Sequence, residues 1–189
     1  MRRATILGFI TSTTEIIGKK TRLRQKKIQD AVNEYHWRRD DELCRLDASS
    51  PITGTFQEYI HWYTEDKGYT SNSHILSIES LDGTHIGNFG CFNIDDVHKE
   101  VEIGVMIGEK SYWNHGYGVD VIQAIVDHLF ASTHAQRIYL RTLDWNTRAH
   151  RCFLKCGFTD CGKVSKGDYK FLVMEITRPK KLNTSTRAI

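Results

Sequence analysis

Residues 101–119 read VEIGVMIGEKSYWNHGYGV, and the first eight of them alternate between two faces as the side chains of a β-strand do. The apolar face, which we expect to pack on a core, carries Val101, Ile103, Val105 and Ile107. The opposite face carries Glu102, Gly104, Met106 and Gly108. Glycine inside a strand often marks the close approach of a ligand or of another backbone. A plain edge strand with one solvated glutamate is the alternative interpretation.

The second half of this stretch contains two glycines, Gly116 and Gly118, at the start of a helix predicted over Gly116–Ser132. A glycine-bearing turn before a helix leaves several backbone N–H groups free, and with the positive end of the helix dipole these groups favour a bound phosphate. The pattern is not a P-loop, because no Gly-Lys-Ser/Thr follows, and it lacks the third glycine of the dinucleotide fingerprint. On its own, the glycine pair is equally compatible with a plain turn.

A shorter helix is predicted between Asn146 and Gly157. Asparagine is a typical N-cap, and glycine is typical just beyond the C-terminal end of a helix. The residues between them, TRAHRCFLKC at 147–156, have the pattern of an amphipathic helix. Good caps account for both residues without any function, so this segment alone predicts no site.

Around these segments the sequence predicts a mixed α+β fold. The predicted strands are Lys20–Lys26, Ser73–Ser80, His85–Asn93, Glu100–Gly108, Arg137–Leu143, Phe158–Val164 and Tyr169–Thr177. Asp82-Gly83, between the second and third of them, is a strong hairpin signal. One helical pattern covers Ile28–Leu46, and Thr55 can cap another helix. The strands do not alternate regularly with helices, which favours one mixed sheet over a series of βαβ units.

A length of 189 residues accommodates one domain of ordinary size. The chain is 40% hydrophobic and 26% charged, which excludes collagen-like and disordered classes. We predict that the domain covers residues 19–178, preceded by a loosely attached leader over 1–18 and followed by a polar tail over 179–189. The longest apolar runs are strand-sized, so we expect no transmembrane helix and no membrane partner.

Five cysteines, an odd number without the spacing of a disulfide framework, favour a reducing cytoplasm as the location. Three of them, Cys152, Cys156 and Cys161, lie close together in sequence. No CxxC pair or spaced histidine pair accompanies them, so buried thiols are the favoured interpretation and no metal is expected.

The formal net charge is +3, which permits an anionic ligand without requiring nucleic acid. The basic run KKTRLRQKK at 19–27 could contact RNA or an acidic protein. A solvated strand edge is the interpretation we prefer, so nucleic acid is not the expected partner.

Taken together, three segments resemble the GNAT superfamily of acyl-CoA N-acyltransferases over roughly residues 20–178. These segments are Glu-Ile-Gly at 102–104, Gly-Tyr-Gly at 116–118, and Asn-x-Arg-Ala at 146–149 with Lys-x-Gly-Phe at 155–158. Leu23-Arg24, the Tyr35-x-Trp37 helix and Tyr112-Trp113 look like the branch with ribosomal-protein alanine N-acetyltransferases. Polyamine and some aminoglycoside acetyltransferases are similar in layout. The resemblance implies a mostly antiparallel, splayed sheet flanked by helices, and many relatives are homodimers.

The resemblance also implies acetyl-CoA as co-substrate, bound where two central strands splay apart. The backbone of Met106, Ile107 and Gly108 would hold the pantetheine arm, and Asn146 would hydrogen-bond to it. The pyrophosphate would bind the backbone N–H groups of Asn114, His115, Gly116, Tyr117, Gly118 and Val119. Trp113 stands where the family usually has arginine or glutamine. Phe153 stands where the family often has a tyrosine that gives a proton to the leaving thiolate.

Glu102 occupies the position where histone-acetylating relatives place their general base; a structural carboxylate is the alternative. The acceptor amine is expected between the early helices and this strand face, with lining residues drawn from Trp37, Arg38, Asp40, Asp41, Glu42 and Tyr63. We expect the neutral amine to attack the thioester directly. A lysine-like amine with a pKa of ~10.4 costs about 4.6 kcal/mol to neutralise at pH 7, whereas an α-amine with a pKa of ~7.7–8.0 costs about 1–1.4 kcal/mol.

This difference favours a small-molecule or peptide acceptor with an α-amine, such as the N terminus of a ribosomal protein. A polyamine or an aminoglycoside is the alternative acceptor. Because Phe153 cannot donate a proton, a catalytically idle domain that binds acyl-CoA is an alternative of another class.

Overall fold

The computed structural model describes residues 4–6, 8, 15–65 and 74–179, which form one sheet with helices packed around it. The strands are β1 (Glu15–Ile17), β2 (Thr21–Gln25), β3 (His74–Ser80), β4 (His85–Asp95), β5 (Glu100–Ile107), β6 (Arg137–Leu143), β7 (Thr159–Lys166) and β8 (Tyr169–Thr177). The helices are α1 (Asp30–Trp37), α2 (Asp41–Leu46), α3 (Phe56–Glu65), α4 (Tyr117–Ser132) and α5 (Thr147–Lys155), and a short 3₁₀ turn covers Lys110–Tyr112. Within these ranges no helix is long and apolar enough to cross a membrane.

The sheet has the order β1-β2-β3-β4-β5-β6-β8-β7. Every neighbouring pair is antiparallel except β5 and β6, which run parallel. This parallel pair is joined only at Glu100↔Arg137, Val101↔Ile138 and Glu102↔Tyr139. Beyond these three residues the strands diverge, which confirms the predicted mostly antiparallel, splayed sheet.

The apolar face of β5 packs on the core, as its alternating sequence predicts. Val101 and Ile103 are fully buried, and Val105 and Ile107 pack at the margin of the same core. The core-facing stripe of α4, built from residues such as Val121, Ile122 and Ile125, covers this face of the sheet. β5 and the first half of α4 therefore pack against each other in one core.

The helical pattern over Ile28–Leu46 contains two helices, α1 and α2, and not one continuous helix. The chain breaks at Asp40, whose backbone is extended and whose side chain accepts the N–H of Leu43 at 3.0 Å. Aspartate caps a helix N terminus better than it occupies a helix interior, so α2 starts anew at Asp41. The break turns the chain towards the sheet and brings the end of α2 near β5.

The described residues of the segment 1–18 are packed against the domain and do not form the loose leader that we predicted. Ile6 is fully buried in the core, and its N–H donates to the carboxylate of Asp96 at 2.6 Å. Glu15–Ile17 forms β1, which pairs with β2 and adds a strand to the sheet. In consequence β2 is an inner strand, so the preferred reading of the basic run as a strand edge was wrong. Residues 180–189 of the predicted tail lie outside the described residues.

The basic run also has an unexpected buried member, Arg24. Its guanidinium donates two hydrogen bonds of 2.7 Å to Asp30 and one of 2.5 Å to Glu79, and the hydroxyl of Ser77 completes the group by donating to Asp30 at 2.7 Å. We call Arg24, Asp30, Ser77 and Glu79 the Arg24 cluster. It ties the start of α1 to β2 and β3, because buried charges of opposite sign must remain paired.

Candidate active site

A cavity of about 440 Å³ lies between the C-terminal half of β5 and α5, beyond the point where β5 and β6 separate. We call it the splay cavity. The predicted cofactor-binding residues that line it are Met106, Ile107, Trp113, Asn114, Gly116, Tyr117, Gly118, Val119, Asn146 and Phe153. Residues from three separate stretches of sequence therefore meet around one space.

The turn before α4 presents a run of free backbone donors to the splay cavity. Asn114 and Gly116 have positive φ angles of 62° and 85°, which bend the chain sharply before the helix begins. Within the described chain, the backbone N–H groups of residues 114–119 make no hydrogen bond to a protein acceptor. Free N–H groups at a helix N terminus favour an anion, and a phosphate is the group they suit best.

A cation stands beside this turn. The ammonium of Lys20 donates to the carbonyl oxygen of His115 at 2.8 Å and lies 5.4 Å from the centre of the Tyr117 ring. Lys20 is held there because Asp120, in the first turn of α4, accepts the backbone N–H groups of Lys19 and Lys20, both at 2.9 Å. No local pattern predicts this contact, since the two partners lie 95 residues apart.

Trp113 forms part of the cavity wall. Its indole N–H donates to the carbonyl oxygen of Ile107 at 2.6 Å, and the guanidinium of Arg148 lies 3.4 Å from its ring centre. Burial lowers the pKa of Arg148, and the charge of Glu42 opposes that shift. A positive charge thus stands at this wall although Trp113 itself carries none.

The α5 side of the splay cavity is apolar around Phe153. Its side chain is buried, 6.0 Å from the ring of Phe158. Asn146 caps the helix by accepting the N–H of Ala149 at 3.2 Å. The phenyl ring of Phe153 lines the cavity without offering a proton donor.

Three predicted site residues lie outside the lining of the splay cavity: Gly108, His115 and Glu102. The N–H of Gly108 donates to Ile86 at 2.9 Å, and a Cβ at this position would collide with the Trp37 ring, so this glycine allows close packing. His115 contributes the carbonyl oxygen that Lys20 binds.

Glu102 is almost completely engaged by other side chains. Arg141 donates to its two carboxylate oxygens at 2.7 and 2.9 Å, and the amide of Asn93 donates to one of them at 2.7 Å. The side chain is buried and lines neither of the two large cavities. Its contacts are those of a carboxylate that holds β4, β5 and β6 together.

A second cavity, of about 600 Å³, lies between the early helices and the face of β4 and β5. We call it the sheet-face cavity. Of the six lining residues expected from the sequence, Arg38 and Tyr63 are present, whereas Asp40 and Glu42 bind Lys110 at 2.8 and 2.9 Å instead. Its floor includes Gly90 and Gly104, paired across β4 and β5 and covered by the Phe92 ring.

The sheet-face cavity carries more positive than negative groups. Among its described lining residues are three cations, Lys26, Lys27 and Arg38, and two carboxylates, Glu34 and Asp47. Lys26 pairs with Glu34 at 2.8 Å. Burial, together with the charge of Glu34, raises the pKa of the neighbouring Tyr63 well above its usual range, so this hydroxyl stays neutral.

The two cavities meet at a common boundary. Asp47, Val105 and Met106 line both of them. Asp47 follows directly after α2, and its backbone N–H bonds to Leu43 and Cys44 as the last turn closes. Sequence reasoning missed Asp47, because nothing local distinguishes it from the other acidic residues of this region.

Residues 20–159 match the model of a family described as an acetyltransferase (GNAT) domain. No curated protein matches the chain in sequence. A GNAT-family acetyltransferase from Bacillus anthracis has a similar structure, with a TM-score of 0.72 at 16% identity; the superposition covers 87% of this chain and 98% of that chain.

Two further solved structures are similar at comparable levels. A spermidine N-acetyltransferase from Vibrio cholerae, in complex with CoA and spermine, has a TM-score of 0.71 at 18% identity and covers 84% of this chain and 95% of its own. An aminoglycoside acetyltransferase in complex with coenzyme A has a TM-score of 0.68 at 21% identity, with coverages of 84% and 95%. At these identities the likeness shows a shared fold.

Proposed function

Because the chain belongs to the GNAT acetyltransferase family, we propose that it transfers the acetyl group of acetyl-CoA to an α-amine. The acceptor is a peptide or a protein N terminus, in agreement with the resemblance to the branch containing ribosomal-protein alanine N-acetyltransferases. The observation that carries this proposal is the contact between the two cavities at Val105 and Met106, which allows an amine in one to meet a thioester in the other.

The splay cavity is the proposed site of acetyl-CoA. The free backbone N–H groups of residues 114–119 in this cavity suit the pyrophosphate of acetyl-CoA. Lys20 and Arg148 add positive charge on two sides of the same space. The backbone at Met106 and Ile107 lies beyond the last β5–β6 pair, where an extended pantetheine arm could lie alongside the strand. Acetyl-CoA supplies an activated thioester to this site.

The sheet-face cavity is the proposed site of the acceptor. Spermidine and aminoglycosides are polycations, and a site for them needs several carboxylates that can pair with their amines. Glu34 is already paired with Lys26, so Asp47 is the one lining carboxylate without an ion pair among the described residues. A peptide with a single α-amine and a neutral or acidic sequence brings only one amine to this carboxylate. The pKa of an α-amine is also ~2.4–2.7 units lower than that of a lysine side chain. Neutralising the α-amine at pH 7 therefore costs about 3.3–3.7 kcal/mol less, and the barrier to transfer is lower by the same amount.

The test is an assay of CoA-thiol release at pH 7 with a panel of acceptors. The panel holds peptides with a free α-amine, the same peptides with a blocked N terminus and one free lysine, spermidine, and an aminoglycoside. We expect the α-amino peptides to have the highest kcat/KM, and those with acidic residues near the N terminus to exceed those with basic ones. Faster turnover of spermidine or of the aminoglycoside would overturn the assignment of the acceptor, and no turnover of any amine would favour an idle acyl-CoA-binding domain.

A further inference from the structure

We propose that Asp47 is the general base that takes the proton from the attacking amine. The proposal rests on the proposed function and adds the residue that activates its acceptor. A general base must reach the amine while the amine reaches the thioester, so it must stand where the two substrates meet. Asp47 is the only titratable side chain among the three residues that line both cavities.

The carboxylate of Asp47 is free to accept a proton. Within the described part of the chain it makes no side-chain hydrogen bond and no ion pair. The other carboxylate of the sheet-face cavity, Glu34, is already bound to Lys26 at 2.8 Å. Glu102, the base expected from the sequence, has both oxygens bound by Arg141 and lies outside both cavities.

The surroundings of Asp47 also favour a base. Asp47 is exposed, so its carboxylate can exchange a proton with solvent, and the protein on its other side removes part of its hydration. This desolvation raises the pKa of Asp47, and the positive charge of Arg38 opposes the shift. A carboxylate with a raised pKa is a stronger base than an ordinary one.

Other titratable groups share the two cavities with Asp47. Those of the sheet-face cavity are Lys26, Lys27, Glu34, Arg38 and Tyr63. Those of the splay cavity are Tyr112, Tyr117, Arg148, Arg151, Cys152 and Lys155. The lysine and arginine side chains are hydrogen-bond donors without an acceptor, so they are not candidates for the base. Cys152 is the remaining competitor, because a hydrogen bond from Cys156 lowers its pKa; it lines the splay cavity alone.

The lone pair of the neutral amine forms a bond to the acetyl carbon while the carbonyl π electrons move to oxygen. As that electron pair returns, the carbon–sulfur bond breaks and its electrons leave with the thiolate. The proton lost by the nitrogen passes to the carboxylate of Asp47, and the thiolate takes a proton from water. The hydroxide formed in this way takes the proton from Asp47, which restores the carboxylate and the water. The products are the acetylated amine and free CoA.

The experiment compares wild type with Asp47→Asn, Asp47→Glu and a control, Asp41→Asn. Asp41 begins α2, is exposed and lines neither cavity. The acceptor is the best α-amino peptide found for the wild type, kcat and KM are measured from pH 6 to 9, and the Kd of acetyl-CoA is measured by calorimetry. Melting temperatures show that each variant is folded; asparagine retains the backbone bonds that Asp47 makes at the end of α2.

We expect Asp47→Asn to lower kcat by ~10²–10⁴-fold at pH 7, with the loss shrinking towards the pKa of the amine. The Kd of acetyl-CoA should change less than about twofold, Asp47→Glu should retain part of the activity, and Asp41→Asn should match the wild type. A folded Asp47→Asn variant within about threefold of wild-type kcat at every pH would overturn the proposal. Wild type that acetylates no amine would overturn the proposed function itself, and the role of Asp47 with it.

Discussion

The ammonium of Lys20 and the carbonyl oxygen of His115 form a hydrogen bond of 2.8 Å that connects the β1–β2 turn to the turn before α4. Asp120 fixes the other side of this connection by accepting three backbone N–H groups, from Lys19, Lys20 and Thr21. The backbone that carries the cation is therefore fixed to the first turn of α4. It stands beside the N–H groups that we assign to the pyrophosphate of acetyl-CoA.

Replacement of Lys20 by methionine should raise the KM for acetyl-CoA by about fivefold to tenfold, because a charge-assisted contact to phosphate is lost. The effect should shrink at high ionic strength, since Lys20 is exposed and its charge is screened. Steady-state kinetics at low and at high salt measure both. Lys19→Met is the matched control and should leave the KM unchanged. An equal effect of both variants would show that only the general charge of this segment matters.

Gly118 offers a direct test of the proposed phosphate site. A Cβ at this position would lie 3.2 Å from the sulfur of Cys152, a contact that a small side-chain shift can relieve. Gly118→Ala should therefore bind acetyl-CoA only moderately less well. Gly118→Asp also places a negative charge among the free N–H groups and should weaken binding by at least about 100-fold. Calorimetry with CoA measures both; equal affinities of the two variants would contradict the assignment.

The Arg24 cluster should make stability depend on pH. Burial alone would raise the pKa of Asp30, but hydrogen bonds from Arg24, the backbone of Lys27 and Ser77 outweigh it and hold the pKa far below its usual range. A carboxyl with a depressed folded-state pKa contributes stability above its unfolded pKa, and this contribution is lost as pH falls towards the folded value. We expect Asp30→Asn to cost about 3–5 kcal/mol at pH 7.

The measurement is urea denaturation of wild type and Asp30→Asn between pH 3 and 7. The difference in unfolding free energy should narrow as the pH falls, because Asp30 takes up a proton in the unfolded wild type near its ordinary pKa while folded Asp30 stays ionised. Asp168→Asn, an exposed change in the β7–β8 turn, serves as the control and should follow the wild type at every pH. A difference that stays constant down to pH 3 would show that the charge of Asp30 is not the stabilising feature.

Local pattern predicted much of the fold. The bounds of β6 and β8 are those predicted, Arg137–Leu143 and Tyr169–Thr177, because both strands have a clear apolar pattern between turns. β1 was missed, since three residues carry too little pattern to reveal a strand that depends on pairing with β2. The break at Asp40 was missed because the apolar spacing continues across it and only the capping geometry stops the helix.

The candidate site divides in the same way. The N–H donors of residues 114–119 are contiguous in sequence, so a turn followed by a helix sufficed to predict them. Lys20 and Asp47 reach the site only through the packing of distant segments. The position of Glu102 on β5 was predicted from the sequence, but its partner Arg141 was not, because Arg141 is 39 residues away. Strand alternation gives the face of a side chain and leaves its partners undetermined.

Glu102→Gln separates the two interpretations of this carboxylate. As a general base, Glu102 would give a rate loss that is greatest at low pH and shrinks towards the pKa of the amine. As the partner of Arg141 and Asn93, it should instead affect stability, because glutamine cannot accept two charge-assisted bonds from the guanidinium. On the geometry we expect a lower melting temperature, a rate loss below about tenfold, and the same loss at every pH from 6 to 9. Arg141→Gln, which removes the other half of the pair, should lower the melting temperature similarly. A folded Glu102→Gln variant with a loss above about 100-fold at pH 6 that disappears by pH 9 would restore Glu102 as the base.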